Sequence, residues 1–324
     1  MTLDPQRVER FGDDAVALLG AEPSAQHPLA LAVSGGPDSM AMLALAHAAF
    51  PGAIIAATVD HRLRPAAADE AAMVAAHCAR LEVPHAILCP PNPVAGSSIQ
   101  ARAREARYAL LLQWALDAGA TALLTAHHIE DQAETFLMRA ARSSGVAGLA
   151  GIRRSRAMKM PDGRSLRLIR PLLEWRRAEL RAIAEQGPFA EDPTNRDPAH
   201  DRTRFRQLLD ESPELDPVQI AATATYAAEA QQALEDVTDL LWNNRAMLSE
   251  GCVEIELGDL NRELRRRLAR RAVGHVLARP FDGAAIEPLL DALEAGRGAT
   301  QAGVMVSMKG AAARFRPAPP RRSH

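Results

Sequence analysis

Six residues, Ser34-Gly-Gly-Pro-Asp-Ser39, stand between the apolar run Leu29-Ala-Leu-Ala-Val33 and a stretch of helical composition, Met40–Ala49. Gly35 and Gly36 allow a tight backbone turn that brings N–H groups close to an anion. The helix that follows adds the positive end of its dipole. Ser34 and Ser39 add hydroxyl donors, and Pro37 completes the loop. Asp38 is the odd member, because a carboxylate repels phosphate. Its place makes sense if it holds Mg²⁺ bound to that phosphate. No Gly-Lys-Ser/Thr follows, and the first lysine of the chain is Lys159, so this is not the loop of the usual P-loop NTPases. Two carboxylates, Asp131 and Glu134, lie three apart and share a helix face just past two imidazoles, His127 and His128.

The elements that must position these groups alternate along the first half. Ala53–Val59, His85–Leu88 and Thr121–Thr125 read as strands. Ala66–Leu81, a stretch from an N-cap at Ser98 to about Asp117, and Ile129–Arg142 read as helices. Ile129, Ala133, Phe136, Leu137 and Ala140 fall on one face of the last. Strands alternating with helices imply a parallel sheet covered on both sides, and right-handed crossovers make it a doubly wound α/β fold. Ligands of such folds sit at the carboxyl ends of strands, where the loop, Asp60 and His127 all fall.

After about residue 211 the pattern changes. Ser212-Pro-Glu-Leu-Asp-Pro217 reads as a linker between two domains, 1–211 and 212–324. The second is expected to be smaller and mainly helical. A helix capped by Asp216 would run to Leu248 and an Arg-rich helix from an Asp259 cap to about Ala278. A third spans Ile286–Ala295. Cys252–Leu257 alternates like a strand, and Lys309-Gly310 suits the turn of a terminal hairpin.

The loop resembles the Ser-Gly-Gly-x-Asp-Ser signature of the PP-loop ATPases. Further segments resemble, in order, those of the tRNA(Ile)-lysidine synthetases. They are Val59-Asp-His-Arg-Leu-Arg64, Ala126-His-His-Ile-Glu-Asp-Gln-Ala-Glu-Thr135, Arg142-Ser-Ser-Gly145 with Gly148-Leu-Ala-Gly-Ile152, Arg170-Pro-Leu-Leu173, and Asp192-Pro-Thr-Asn195 with Arg202-Thr-Arg-Phe-Arg206. Ser143 stands where that family usually has Gly, and Thr203 where it usually has Asn. The resemblance implies an ATP-dependent ligation. L-lysine is joined to C2 of the wobble cytidine of tRNA(Ile) with a CAU anticodon, through an adenylated cytidine, with ATP and Mg²⁺ required. Decoding changes from AUG to AUA, and tRNA identity from methionine to isoleucine.

That chemistry assigns roles. An amine attacks only when neutral, and a free lysine amine has a pKa of ~10.4. A carboxylate must therefore take its proton or orient the ammonium, which suits Asp131 and Glu134 beside His127. Asp38 would hold the metal, and Asp60 the adenosine ribose, with His61 structural. Arg202, Arg204 and Arg206 suit either phosphate contacts or a clamp on the α-phosphate. Arg104 and Arg107 share a helix face and suit tRNA, as does a stripe of Arg262, Arg266 and Arg270 in the second domain. A PP-loop tRNA thiolase is the rival, but its chemistry needs a nucleophilic cysteine pair or an iron–sulfur site, usually Cys-x-x-Cys. Cys78, Cys89 and Cys252 supply none.

Composition bounds the rest. The chain has 324 residues, 48% of them hydrophobic and 24% charged, which is ordinary for a globular protein. Three cysteines without metal-ligand spacing suit a reducing cytoplasm. No apolar run approaches the ~18 residues of a membrane span. With 38 basic and 40 acidic residues the formal charge is −2, which excludes a uniformly basic nucleic-acid coat and leaves local basic clusters. A homodimer is compatible with the sequence but not fixed by it.

Overall fold

In the computed structural model the described residues are 3–62, 66–91, 99–191, 201–281, 286–310 and 312–319. The Ser98 cap and the Asp192–Asn195 segment fall outside them. The chain divides into two compact units, Met1–Ala228 and Glu229–His324.

The first unit opens with α1 (Pro5–Leu19), an N-terminal helix the sequence reading did not anticipate. Then β1 (Leu29–Ala32), α2 (Pro37–Ala49), β2 (Ile54–Val59), α3 (Ala66–Arg80), β3 (His85–Leu88), α4 (Ile99–Asp117), β4 (Ala122–Leu124) and α5 (Ile129–Ala140) follow the expected alternation. After them come α6 (Val146–Leu149), β5 (Ser155–Lys159), β6 (Ser165–Ile169), α7 (Arg177–Ala184) and α8 (Asp201–Glu211). The six strands are ordered β3-β2-β1-β4-β6-β5. All neighbours are parallel except β5, which pairs antiparallel with β6.

Strand β1 sits in mid-sheet, with Leu29 opposite both Ile54 and Ala122. Buried on both faces, it carries an uninterrupted apolar run. The helix after it is enclosed too: Ser39 through Ala46 of α2 are all buried. An all-round apolar helix belongs inside a domain, so the turn between β1 and α2 is fixed at both ends by packed core. Truncating Leu31 or Leu43 to Ala would cost about 2–5 kcal/mol and loosen that turn.

The Arg-rich stretch 153–170 contains the antiparallel β5–β6 hairpin. Arg154 meets Glu174 and Asp14, and Arg164 meets Asp117 and Asp162. Arg170 is buried and donates to the Arg153 carbonyl at 2.5 Å.

Helix α9 (Pro217–Arg245) continues into the second unit. There the expectation of a mainly helical domain is corrected. With α10 (Arg262–Val276) and α11 (Ile286–Glu294), the unit carries a five-stranded antiparallel sheet. Its strands are β7 (Ala246–Ser249), β8 (Cys252–Glu256), β9 (Ala299–Gln301), β10 (Val304–Lys309) and β11 (Ala312–Pro317), ordered β7-β8-β11-β10-β9. Val253, Ile255, Val304, Val306, Ala313 and Phe315 alternate inward onto Leu268, Ala272 and Leu289. The outer strands β7 and β9 bury no residue fully, so they lack the period-two signal and escape a sequence reading. Asn261, not Asp259, caps α10 by accepting from Leu264 N at 3.0 Å, while Asp259 pairs with Arg245. The expected hairpin at Lys309-Gly310 joins β10 to β11.

Candidate active site

The phosphate-type loop is locked from within. Ser34 N donates to Ser39 Oγ at 3.1 Å, the two hydroxyls lie 3.1 Å apart, and Ser39 Oγ donates to the Gly36 carbonyl at 2.9 Å. Gly35 has φ +90°, an angle that L side chains rarely adopt, so the backbone calls for glycine even though a Cβ there would meet Met73 and Val74 only at contact distance, 3.4 Å. Gly36 is the N-cap of α2 and Pro37 its first residue, a position that needs no N–H. Asp38 follows in the first turn. Its Oδ1 is buried and has no hydrogen-bond partner among the described residues, while Oδ2 stands 3.6 Å from His128 Nε2.

The other wall is the β4–α5 turn. His128 caps α5, and its backbone N–H donates to Asp131 Oδ2 at 3.0 Å. Its ring donates Nδ1–H to Glu130 at 2.9 Å and points Nε2 toward Asp38 and Asp131, at 3.6 and 3.7 Å. Burial disfavours a charged ring here, but Asp131, Asp38 and Glu130 outweigh it and push the His128 pKa up to about 10. His127 is the opposite case. Burial and the nearby Arg170, Arg104 and Arg202 outweigh Asp131 and lower it to about 3, so two adjacent histidines carry different charge at neutral pH. Burial would raise the Asp131 carboxyl, but the His128 ring and Arg202 hold it well below the usual carboxylate range.

Glu134, one helical turn on, has no exposed surface. Arg202 Nε reaches it at 2.6 Å, Arg206 Nε at 2.9 Å and Arg177 at 3.0 Å. Arg202 also bonds Asp131. Arg202 and Arg206 lie four apart on α8, so one face of that helix delivers both. Asp131 and Glu134 thus share a face, as their spacing requires. Glu134, however, is enclosed by the guanidiniums of Arg202, Arg206 and Arg177.

These walls enclose a cleft of about 1330 Å³ lined by Ser34, Asp38, His127, Asp131 and Arg202 among others. That exceeds the ~300–1,000 Å³ of a single small-molecule site. Arg104, Arg107 and Arg206 line it as well. Asp60 does not; its Oδ1 accepts from Arg62 N at 2.8 Å in the turn after β2. His61, expected to be structural, lines the cleft with both ring nitrogens buried and unpartnered.

In the second unit Arg262 meets Glu287, Asp291 and Glu294, and Arg266 meets Glu263 and Glu287. The acids of α11 fall at matching helical spacing, so Arg262 and Arg266 face carboxylates rather than open solvent. Arg270, the third of the expected stripe, is half-buried and its Nε is unpartnered. Those α11 acids, Glu287, Asp291 and Glu294, were the readable sign of this pairing.

Sequence reasoning also passed over Arg177 and Glu130. Arg177 sits at the first position of α7, where the helix dipole disfavours a cation. That conflict was a readable sign of a carboxylate partner. Glu130 accepts from Arg177 N at 2.9 Å, tying α7 to α5.

None of the three cysteines lines the cleft, and burial pushes the Cys78 thiol up to about 11. Among the described residues no helix is long and apolar enough to cross a membrane.

Residues 10–212 match the family model of the PP-loop domain. The chain is 42% identical over 316 residues to a tRNA(Ile)-lysidine synthase of Novosphingobium aromaticivorans, covering 97% of this chain and 94% of that one. It is 41% identical to a tRNA(Ile)-lysidine synthase of Zymomonas mobilis, over 91% and 89%. The U34-tRNA thiolase NcsA of Methanococcus maripaludis, solved with its [4Fe-4S] cluster, shares the fold. Its TM-score is 0.55 at 16% identity, over 71% of this chain and 79% of that one.

Proposed function

The chain belongs to the tRNA(Ile)-lysidine synthase family of PP-loop proteins, and from that premise we propose how its residues divide the family's ATP-dependent ligation of lysine to tRNA(Ile). The observation that carries the assignment of roles is the convergence of the Ser34–Ser39 loop, Asp38 and the His127–Asp131 turn on one cleft.

The loop N–H groups bind the β- and γ-phosphates of ATP, joined by the exposed Ser34 hydroxyl, while Ser39 Oγ, which donates to the Gly36 carbonyl, holds the loop in shape. Asp38 fits a hard cation, because its Oδ1 is buried with no donor to satisfy it. Mg²⁺ held there would neutralise phosphate charge as pyrophosphate departs. The cytidine C2 oxygen attacks the α-phosphorus, forming one P–O bond as the bond to pyrophosphate breaks. Arg202, held in place by Asp131 and Glu134, offers its charge to the α-phosphoryl oxygens.

In the second step the lysine ammonium sheds a proton to solvent in the cleft, the neutral ε-amine attacks C2, the C2–O bond to AMP breaks as AMP leaves, and the surplus proton on nitrogen passes to solvent. Asp131 stays ionised far below neutral pH, so it orients the incoming ammonium and is a poor proton acceptor. Glu134 is a positioning residue that fixes three guanidiniums. Arg104, Arg107 and Arg206 on the cleft walls contact tRNA phosphates, whereas Arg262 and Arg266 join α10 to α11. Asp60 can accept from the ribose through Oδ2 while Oδ1 keeps its bond to Arg62 N. The deciding assay is incorporation of labelled lysine into a tRNA(Ile) transcript with the CAU anticodon. Label must appear with ATP and be absent without it; incorporation independent of ATP sinks the reading.

A further inference from the structure

Thr125 lies just past β4, two residues before His127. We propose that Thr125 is a positioning residue that sets the His127 tautomer, so that Nε2 carries the proton and presents an N–H donor to the cleft. This rests on the ligase reading of the cleft given above.

The argument begins with the hydroxyl. Thr125 is 8% exposed, and its backbone N–H is already given to the Ile169 carbonyl at 3.2 Å. Its Oγ1 stands 3.0 Å from His127 Nδ1, the one side-chain contact it makes among the described residues. A buried hydroxyl must place its hydrogen somewhere. A neutral imidazole has one donor and one acceptor nitrogen. If Nδ1 carried the proton, it would donate to Oγ1 and leave the threonine hydrogen without a protein acceptor among the described residues. If Nδ1 is the acceptor, the hydroxyl is satisfied and the proton sits on Nε2.

The surroundings keep the ring neutral. The charged groups facing it are Asp131 on α5, Arg104 on α4, Arg170 after β6 and Arg202 on α8. Three cations against one anion, added to burial, oppose an imidazolium. His127 also lines the cleft beside Asp131. A neutral ring with Nε2–H cannot take a proton from lysine at that nitrogen. It can donate a hydrogen bond to an oxygen that gains negative charge, here an α-phosphoryl oxygen as pyrophosphate leaves. No proton changes hands at His127 in that step. The tautomer decides the matter, since the reversed ring would aim a lone pair at the same oxygen.

The test uses the full-length protein labelled with ¹⁵N at histidine. Long-range proton–nitrogen NMR reads the His127 tautomer, and steady-state lysine ligation gives kcat and KM for ATP. The wild type should show Nε2–H at neutral pH. Thr125→Val, of the same shape, should shift the ring toward Nδ1–H. It should also lower kcat roughly tenfold or more while KM for ATP stays within about twofold. Thr125→Ser should restore both. A wild-type ring protonated on Nδ1 or on both nitrogens overturns the proposal, as does a Thr125→Val protein with unchanged tautomer and kcat. If Thr125→Val fails to fold, the wild-type tautomer and the Thr125→Ser kinetics decide. If the wild type ligates no lysine, the functional reading fails, while the NMR comparison still decides whether Thr125 sets the ring.

Discussion

The carboxylate of Glu134, with no exposed surface, accepts from Arg202 Nε at 2.6 Å across 68 residues of sequence. The pair turns a helix-face acid into the anchor of a cationic wall, because Arg206 and Arg177 share the same carboxylate.

Glu134→Gln removes the charge that three guanidiniums surround while keeping the shape. Each guanidinium is partly solvated, so the loss is moderate, about 1–3 kcal/mol in denaturant unfolding. Lysine ligation should fall much further than ATP binding, since Arg202 loses its aim and the phosphate loop is untouched. Unchanged stability together with full ligation would show that the wall does not depend on Glu134.

Asp38→Asn should abolish ATP–pyrophosphate exchange in the presence of tRNA at saturating Mg²⁺ and leave the unfolding transition intact. The orphaned Oδ1 motivates this, since an amide binds a hard cation far less well. In the wild type the labelled products should be AMP and pyrophosphate. Near-normal exchange by the mutant, or stoichiometric ADP from the wild type, contradicts the scheme.

Two pairs of arginines should behave differently toward tRNA. Changing Arg104 and Arg107 to Gln should reduce the salt slope of tRNA binding by about 1.5–2 through lost counterion release. Changing Arg262 and Arg266 to Gln should leave that slope alone and lower the unfolding midpoint, because their partners are the acids of α11. A reduced slope in the second variant would return α10 to the tRNA surface.

The same contacts predict a response to acid. Hydrogen bonds from Arg266, and then Arg262, outweigh burial and lower the Glu287 pKa to about 2. Its unfolded value is ~4.3. A group depressed on folding stabilises the protein above the unfolded value and loses that contribution as pH falls through the folded one. Glu287 therefore contributes about 1 kcal/mol at neutral pH, after allowance for its solvent exposure, and this is lost between pH ~4.3 and ~2. Wild type and Glu287→Gln should differ in denaturant midpoint at pH 6 and converge near pH 2. A constant gap would place the effect in packing.

What the sequence determined by itself was local. Gly35 at positive φ, Pro37 at the first helical position and the serines around them specify the loop wherever a strand leads into a helix. The apolar run of β1 and the 3.6-residue period of α5 give the alternation and hence the doubly wound sheet. Asp131 and Glu134 share a face because helix geometry demands it. The tertiary structure decided what those groups touch. Arg177, Arg202 and Arg206 arrive from two helices distant in sequence to enclose Glu134, and α11 supplies the acids that occupy Arg262 and Arg266. His127 and His128 are neighbours in the chain, yet burial and the charges of three arginines hold one neutral while three carboxylates keep the other charged. The edge strands β7 and β9 show no period because they bury no full face. Edge pairing and the charge state of His127 depend on atoms brought together by folding, whereas two of the carboxylates that charge His128, Glu130 and Asp131, stand beside it in the chain.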